Sequence, residues 1–229
     1  MKQPILLFTT GMSLCLLLCT TGCKPAPMAE EIPASIPAVS YKAIMIQHSV
    51  AAYPAWKEVY MADDSLRKVN GMFPMFIARG TEDTNMIIVM NKITDIEKAR
   101  SFATSEGLKM TMEKAGVNSL PMAAYMDVIR DDTSSIPQDE RVMVVHKVKD
   151  FDAWLKVYDA EGMAKRAENG LVDRGLARDM DDPNKLYIVF AVTDKAKAMA
   201  RMQSDEFIKL MADAGVEGQP TVYFYTRQK

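Results

Sequence analysis

Residues 141–159 read RVMVVHKVKDFDAWLKVYD. β-Branched residues crowd 141–149, which predicts a strand. Beyond it Phe151, Trp154, Leu155, Tyr158 and Met163 fall near helical spacing, Asp150 stands ahead as an N-cap, and Asn169-Gly170 ends the run. A helix is therefore expected over 151–168. Slid back by 98 residues, the stretch lies over AIMIQHSVAAYPAWKEVYM. His146 then falls on His48, Ala153-Trp154 on Ala55-Trp56, and Val157-Tyr158 on Val59-Tyr60.

One residue is then inserted and the match continues at a shift of 99. Asn169-Gly170 falls on Asn70-Gly71, Ala177-Arg178 on Ala78-Arg79, Thr193-Asp194 on Thr94-Asp95, and Ala214-Gly215-Val216 on Ala115-Gly116-Val117. The two shifts together give about 24 identities over about 85 positions, which marks a tandem duplication. In the second copy two strands are expected near 171–178 and 185–192, around the turn Asp181-Asp182-Pro183-Asn184. A second helix over 194–214 and a last strand over 221–227 complete the order β-α-β-β-α-β. That order is the ferredoxin-like split βαβ arrangement. One such unit covers one sheet face with helices and leaves the other bare. Two units in tandem can hide both bare faces in a single eight-stranded barrel. The domains expected are a first repeat at 41–130, a polar linker at 131–140 and a second repeat at 141–229.

The segment VMVVHKVKDFDAWLKVYD, with the Ala-Gly-Val and Pro-Thr-Val-Tyr-Phe ending, resembles the dimeric α+β barrel superfamily, and within it proteins described as antibiotic-biosynthesis-monooxygenase-like. The resemblance covers nearly all of 41–229. It implies an α+β fold in which two ferredoxin-like βαββαβ repeats form an intramolecular dimeric α+β barrel. Members of the superfamily include cofactor-free monooxygenases acting on aromatic polyketides, haem-degrading enzymes, and ligand binders without known catalysis. Fold alone does not choose among these.

The N-terminus carries an address. Lys2 is followed by the uncharged run PILLFTTGMSLCLLLC, short for a membrane span but suited to a secretory signal. Thr20-Thr21-Gly22-Cys23 resembles the lipobox of bacterial lipoproteins, with Thr20 where Leu is usual. That resemblance implies cleavage after residue 22 and lipidation of Cys23, palmitate included. All three cysteines lie at or before this point, so the body relies on its core rather than on disulfides. Residues 23–40, rich in proline and alanine, read as an extended tether. The expected location is the cell envelope, anchored to a bacterial membrane, with the outer membrane favoured.

The chain has 229 residues, 25% of them charged, and a net charge of -2, which leaves no electrostatic footprint for nucleic acid. No P-loop, GxGxxG, GxSxG or HExxH motif is present. His48 and His146 are the only histidines, and each sits near the end of a first strand. Such a residue can bind a ligand, act as a base or hold haem, or it can be a strand-end histidine bonded to backbone. Trp56 and Trp154, each four residues before a tyrosine, form either the helix face that packs on the sheet or a pocket wall. Arg79 and Arg178 end the second strands and point either inward to an acidic group or to solvent. The 19 methionines are scattered and read as core filling rather than as Cu(I) ligands, and no metal site is expected.

The copies differ most where Phe73-Pro74-Met75-Phe76 faces Val172-Asp173-Arg174-Gly175. Asp173 with Arg174 makes the second repeat the better place for a polar site. The ligand-binding candidates are thus His48, Trp56, Arg79, His146, Trp154 and Arg178. No catalytic residue is assigned, and no cofactor is expected, with haem the one to test. The expected partner is a small, largely apolar or aromatic molecule, and a cofactor-independent monooxygenase or haem-handling enzyme is the alternative.

Overall fold

The protein is described here by a computed structural model that covers residues 35–228. The first repeat runs β1 (Ala38–Ser49), α1 (Tyr53–Ala62), α2 (Asp64–Val69), β2 (Met72–Gly80), β3 (Met86–Ile93), α3 (Ile96–Ala103), α4 (Glu106–Lys114) and β4 (Met122–Asp131). The second runs β5 (Glu140–Val148), α5 (Phe151–Glu168), β6 (Leu171–Asp179), β7 (Lys185–Val192), α6 (Lys195–Met202), α7 (Asp205–Asp213) and β8 (Val216–Gln228). Signal, Cys23 and most of the tether lie outside the described residues.

Capping explains the element boundaries. Asp95, Asp150 and Asp194 each accept a hydrogen bond from the backbone N–H three residues on, opening α3, α5 and α6. The single helix expected over 194–214 is in fact two. Ser204 caps α7 by accepting from the Phe207 N–H, and Ser105 does the same for α4 from the Leu108 N–H. A serine that competes for the backbone ends one helix and starts the next. Helix α5 occupies its expected span but breaks at Gly162, where φ is 79°. Gly71 and Gly170 need glycine for a second reason besides positive φ: a Cβ there would stand 2.8 Å from Asp95 Cβ and 2.4 Å from Asp194 O. Strands β1 and β8 each begin earlier than expected, at Ala38 and Val216.

The strands close into one antiparallel barrel in the order β1-β3-β2-β8-β5-β7-β6-β4. Each repeat supplies four consecutive members, β4-β1-β3-β2 and β8-β5-β7-β6. The two seams are β2 on β8, from Ile77↔Gln228 to Gly80↔Tyr225, and β4 on β6, from Met126↔Asp179 to Asp131↔Gly175. Alternation along each strand sorts the side chains. Ala43 and Met45 of β1 join the lumen core with Met126, Met143 and Tyr225. Ile44 and Ile46 join Trp56, Ile87 and Phe102 under the first repeat's helices. Val142, Trp154, Leu186 and Phe190 form the equivalent layer in the second. Met45, Met126 and Met143 fill the lumen as expected of core methionines, whereas Met61, Met75, Met110 and Met122 are exposed.

A single repeat would expose the whole lumen face to water, together with two unpaired strand edges. Residues 41–130 expressed alone are expected to dimerise or aggregate rather than remain a folded monomer. Light scattering with circular dichroism would show this, and a stable folded monomer would mean that the seams are not needed.

Candidate functional site

Both repeats carry the same stack of rings between helix and sheet. His146 meets Trp154 edge-on at 5.6 Å, Trp154 stacks on Tyr158 at 4.9 Å, and the Arg166 guanidinium covers Tyr158 at 3.9 Å. In the first repeat His48, Trp56, Tyr60 and Arg67 stand at 5.6, 4.9 and 3.7 Å. The i, i+4 spacing of Trp and Tyr on α1 and α5 sets the stack. The histidines reach it because even-numbered positions of β1 and β5 face the helices.

The stacks are alike, but the spaces beside them are not. In the second repeat a cavity of about 340 Å³ opens beside Trp154, walled by Leu171, Ile188, Phe190, Phe207 and Met211. Its counterpart in the first repeat has shrunk to about 50 Å³. One exchange goes far to explain this. Phe102 is buried in the first cavity at the position where the second has Arg201, whose charged end leaves the apolar layer for its partners.

The polar edge of the larger cavity is a buried charge network. Arg166 Nε donates to both oxygens of Asp173, at 3.0 and 3.1 Å, and its Nη1 donates to the Tyr158 carbonyl at 2.7 Å. The Tyr158 hydroxyl donates to Asp173 as well. Glu161 bridges the two arginines, at 3.3 Å to Arg166 and 3.2 Å to Arg201. The break at Gly162 interrupts α5 immediately after Glu161. In the first repeat Pro74 replaces Asp173, and Asn91 takes the Tyr60 hydroxyl at 3.4 Å. Burial first, and the Asp173 carboxylate next, push the Tyr158 phenol well above its ordinary value, so it stays protonated. Two buried donors of the network, Arg166 Nη2 and Arg201 Nε, have no protein partner. With Glu206 on Arg201 as well, the two cations face three carboxylates, so this edge carries no uncompensated positive charge and suits a neutral guest.

His146 and Trp154 lie in the wall of this cavity, and His48 and Trp56 in that of the smaller one. Arg79 and Arg178 line neither. Each donates from Nε to the carbonyl of the adjoining turn, Thr84 or Pro183, at 2.7 Å. Each also lies flat on the first aromatic of a helix, Tyr53 at 4.4 Å or Phe151 at 4.0 Å. A guanidinium committed to turn and ring is not aimed at a ligand, and both are corrected to a structural role. Asp173 and Arg174 do not act together either. As strand neighbours they leave the sheet on opposite faces, Asp173 to the helix layer and Arg174 to the lumen, where it pairs with Asp132 at 2.9 Å. Glu161, Arg166 and Arg201 are not marked by the spacing in the sequence, whereas Tyr158 is, as the i+4 partner of Trp154. The signal for Arg201 was present as an Arg aligned on a Phe.

The histidines fit neither of the roles considered for them. All four of their ring nitrogens are sealed from solvent and have no hydrogen-bond partner, so neither imidazole is held by backbone. An axial haem ligand needs a nitrogen that iron can approach to bonding distance, and no such nitrogen is open on His48 or His146. Ligation through them does not fit. Among the described residues no group of His, Cys, Asp and Glu side chains could hold a metal ion.

No protein-family model and no curated protein matches the sequence. Solved structures do resemble the chain. An anthrone oxidase-like protein superposes with a TM-score of 0.57 at 11% identity, covering 84% of this chain and 95% of its own. A candidate monooxygenase from Fusobacterium nucleatum gives 0.53 at 13%, covering 83% and 94%. A haem-binding protein from Thermus thermophilus gives 0.48 at 9%, covering 87% and 96%. The likeness is one of fold. The anthrone oxidase-like and monooxygenase structures share this architecture.

Burial lowers both imidazoles from 6.5 to about 4, so both are neutral at pH 7. Unfolding exposes groups that take up protons near 6.5, protons the native state refuses. Stability is therefore full above that pH and is lost as pH falls toward 4. At pH 5 the loss is about 2 kcal/mol per histidine. In His146→Leu the drop in urea-unfolding free energy between pH 7 and pH 5 should be smaller by that amount. An undiminished drop would mean that His146 titrates normally in the folded protein.

Proposed function

We propose that the second repeat is a binding module for a small, largely apolar molecule presenting an acceptor oxygen. The observation that carries this reading is the contrast between two cavities of common origin. One is reduced to about 50 Å³ with Phe102 in its wall, and the other stands open at about 340 Å³ with Arg166 and Arg201 in its wall. That volume lies in the lower part of the range for small-molecule sites, roughly 300–1,000 Å³. Apolar side chains supply the contact area, and the Arg166 and Arg201 side chains in the wall make one edge polar.

Cofactor-independent oxygenation would use the same cavity, and the fold it shares with monooxygenase-like proteins keeps it as the second reading. It asks for a group that exchanges a proton near neutral pH beside the substrate. The Tyr158 proton is committed to Asp173, and the His146 nitrogens are sealed. The side chains thus favour binding over catalysis.

Native mass spectrometry of protein purified from its own host is the direct test. A co-purified small molecule is expected, and Arg201→Phe, which installs the first repeat's plug, should lose it. An Arg201→Phe variant that retains the ligand would place binding elsewhere.

We also propose that Cys23 carries a lipid and that residues 23–40 tether the body to a bacterial membrane, with the outer membrane favoured. The support is Gly22-Cys23 after a charged tip and an apolar run. No helix of the described residues is long and apolar enough to cross a membrane. Fractionation should find the wild type in the membrane pellet and Cys23→Ala outside it. Retention of Cys23→Ala in the pellet would remove the lipid from the account.

A further inference from the structure

The barrel lumen holds a second cavity, of about 210 Å³, that the helix-layer site does not touch. Its exposed lining residues Met75, Thr133 and Arg227 mark a mouth at one end of the barrel. The duplication makes its two walls comparable position by position. At shifts of 98 and 99, Ala43, Met75 and Val128 of the first repeat correspond to Arg141, Arg174 and Arg227 of the second. Ala43, Met75, Val128, Arg174 and Arg227 all line this one cavity. Arg141 is buried close by, where the charges of Arg227 and Arg174 both oppose its own. Three apolar positions of the first repeat are therefore arginines in the second, although the first-repeat side of the lining also carries Tyr41, Arg130 and Asp131.

The carboxylates at the mouth are engaged. Asp132 holds Arg174 at 2.9 Å, and Asp131 accepts from the Tyr41 hydroxyl at 2.6 Å. Arg130, also in the lining, is bound through both nitrogens by Asp159. Arg227 instead lies on the Phe76 ring at 4.2 Å, with its charge at the mouth. Arg141 donates from Nη1 to the Gln138 and Glu140 carbonyls, and its buried Nε has no partner. Below the arginines the lumen is lined by Met90, Met126 and Met143, thioethers that adapt to an irregular guest.

We infer that the barrel lumen is a second binding site, specific for a compact amphipathic anion. Its apolar body lies among the methionines, and its carboxylate-like head meets Arg227 at the mouth. This site is separate from the helix-layer cavity, where Arg166 and Arg201 already face Asp173, Glu161 and Glu206 and for which a neutral ligand is proposed.

Methionine methyl resonances separate the two sites, because Met90, Met126 and Met143 report on the lumen while Met202 and Met211 report on the helix-layer cavity. The experiment titrates the mature full-length protein, carrying 13C-methyl methionine, with 2-naphthoate and with uncharged 2-naphthalenemethanol. Naphthoate should shift the three lumen methyls and bind about tenfold more tightly than the alcohol, the worth of one charge-assisted hydrogen bond. That preference should vanish in Arg227→Gln and survive in Arg227→Lys; Arg227 is exposed, so both variants should fold. Lumen methyls that do not respond, shifts confined to Met202 and Met211, equal affinity for the two probes, or an undiminished preference in Arg227→Gln would each overturn the inference. Shifts at Met202 and Met211 report separately on the second repeat's cavity, so the lumen inference can fail while that reading stands.

Discussion

Everything in this molecule depends on the pairing of β2 with β8 and of β4 with β6. A ferredoxin-like unit buries only one face of its sheet, and its other face, carrying Ala43, Met45 and Met126 in one repeat and Met143 and Tyr225 in the other, would be wet in isolation. The two seams give each outer strand a partner and turn two half-protected sheets into one barrel without edges. Covalent fusion makes the pairing intramolecular, so it does not depend on protein concentration. Closure also frees the copies from identity. A homodimer must repeat every substitution on both sides, whereas a fused pair can change one wall and keep the other.

That freedom has been used twice. In the helix layer the ring stack survives in both repeats, but Phe102 fills one cavity where Arg201 holds the other open. In the lumen three arginines face the Ala43, Met75 and Val128 from which duplication separated them. Packing positions tolerate little change because a poorly filled core costs several kcal/mol. Divergence is therefore concentrated where one copy has exchanged an apolar contact for a charge. Three of the arginines have carboxylate partners, Asp173 and Glu161 for Arg166, Glu161 and Glu206 for Arg201, and Asp132 for Arg174, while Arg141 rests on the Gln138 and Glu140 carbonyls. Such partners offset the cost of burying a guanidinium.

The fold was legible because its signals are local and repeated. Asn-Gly stops, Asp caps and period-two strands occur twice in register, and duplication predicts how the bare faces are hidden. The site was legible only in part. His146 and Trp154 were found because they recur, yet recurrence marks the shared stack and not the function. Arg79 and Arg178 were drawn in by the same logic and serve turns. What distinguishes the second repeat's cavity lies partly in residues that do not recur. Arg201 and Asp173 show themselves only when set against Phe102 and Pro74. Even then their convergence on Tyr158 and Glu161 depends on the break at Gly162, which no periodicity announces.

The central claim is that duplication left one working cavity and one filled one. A crystal structure of the protein purified from its own host tests it most directly. The account predicts ligand density beside Trp154, reaching toward Arg166 and Arg201, with Phe102 packed and no density in the first repeat. Ligand density around Trp56 and Phe102, or equal occupation of both repeats, would contradict it.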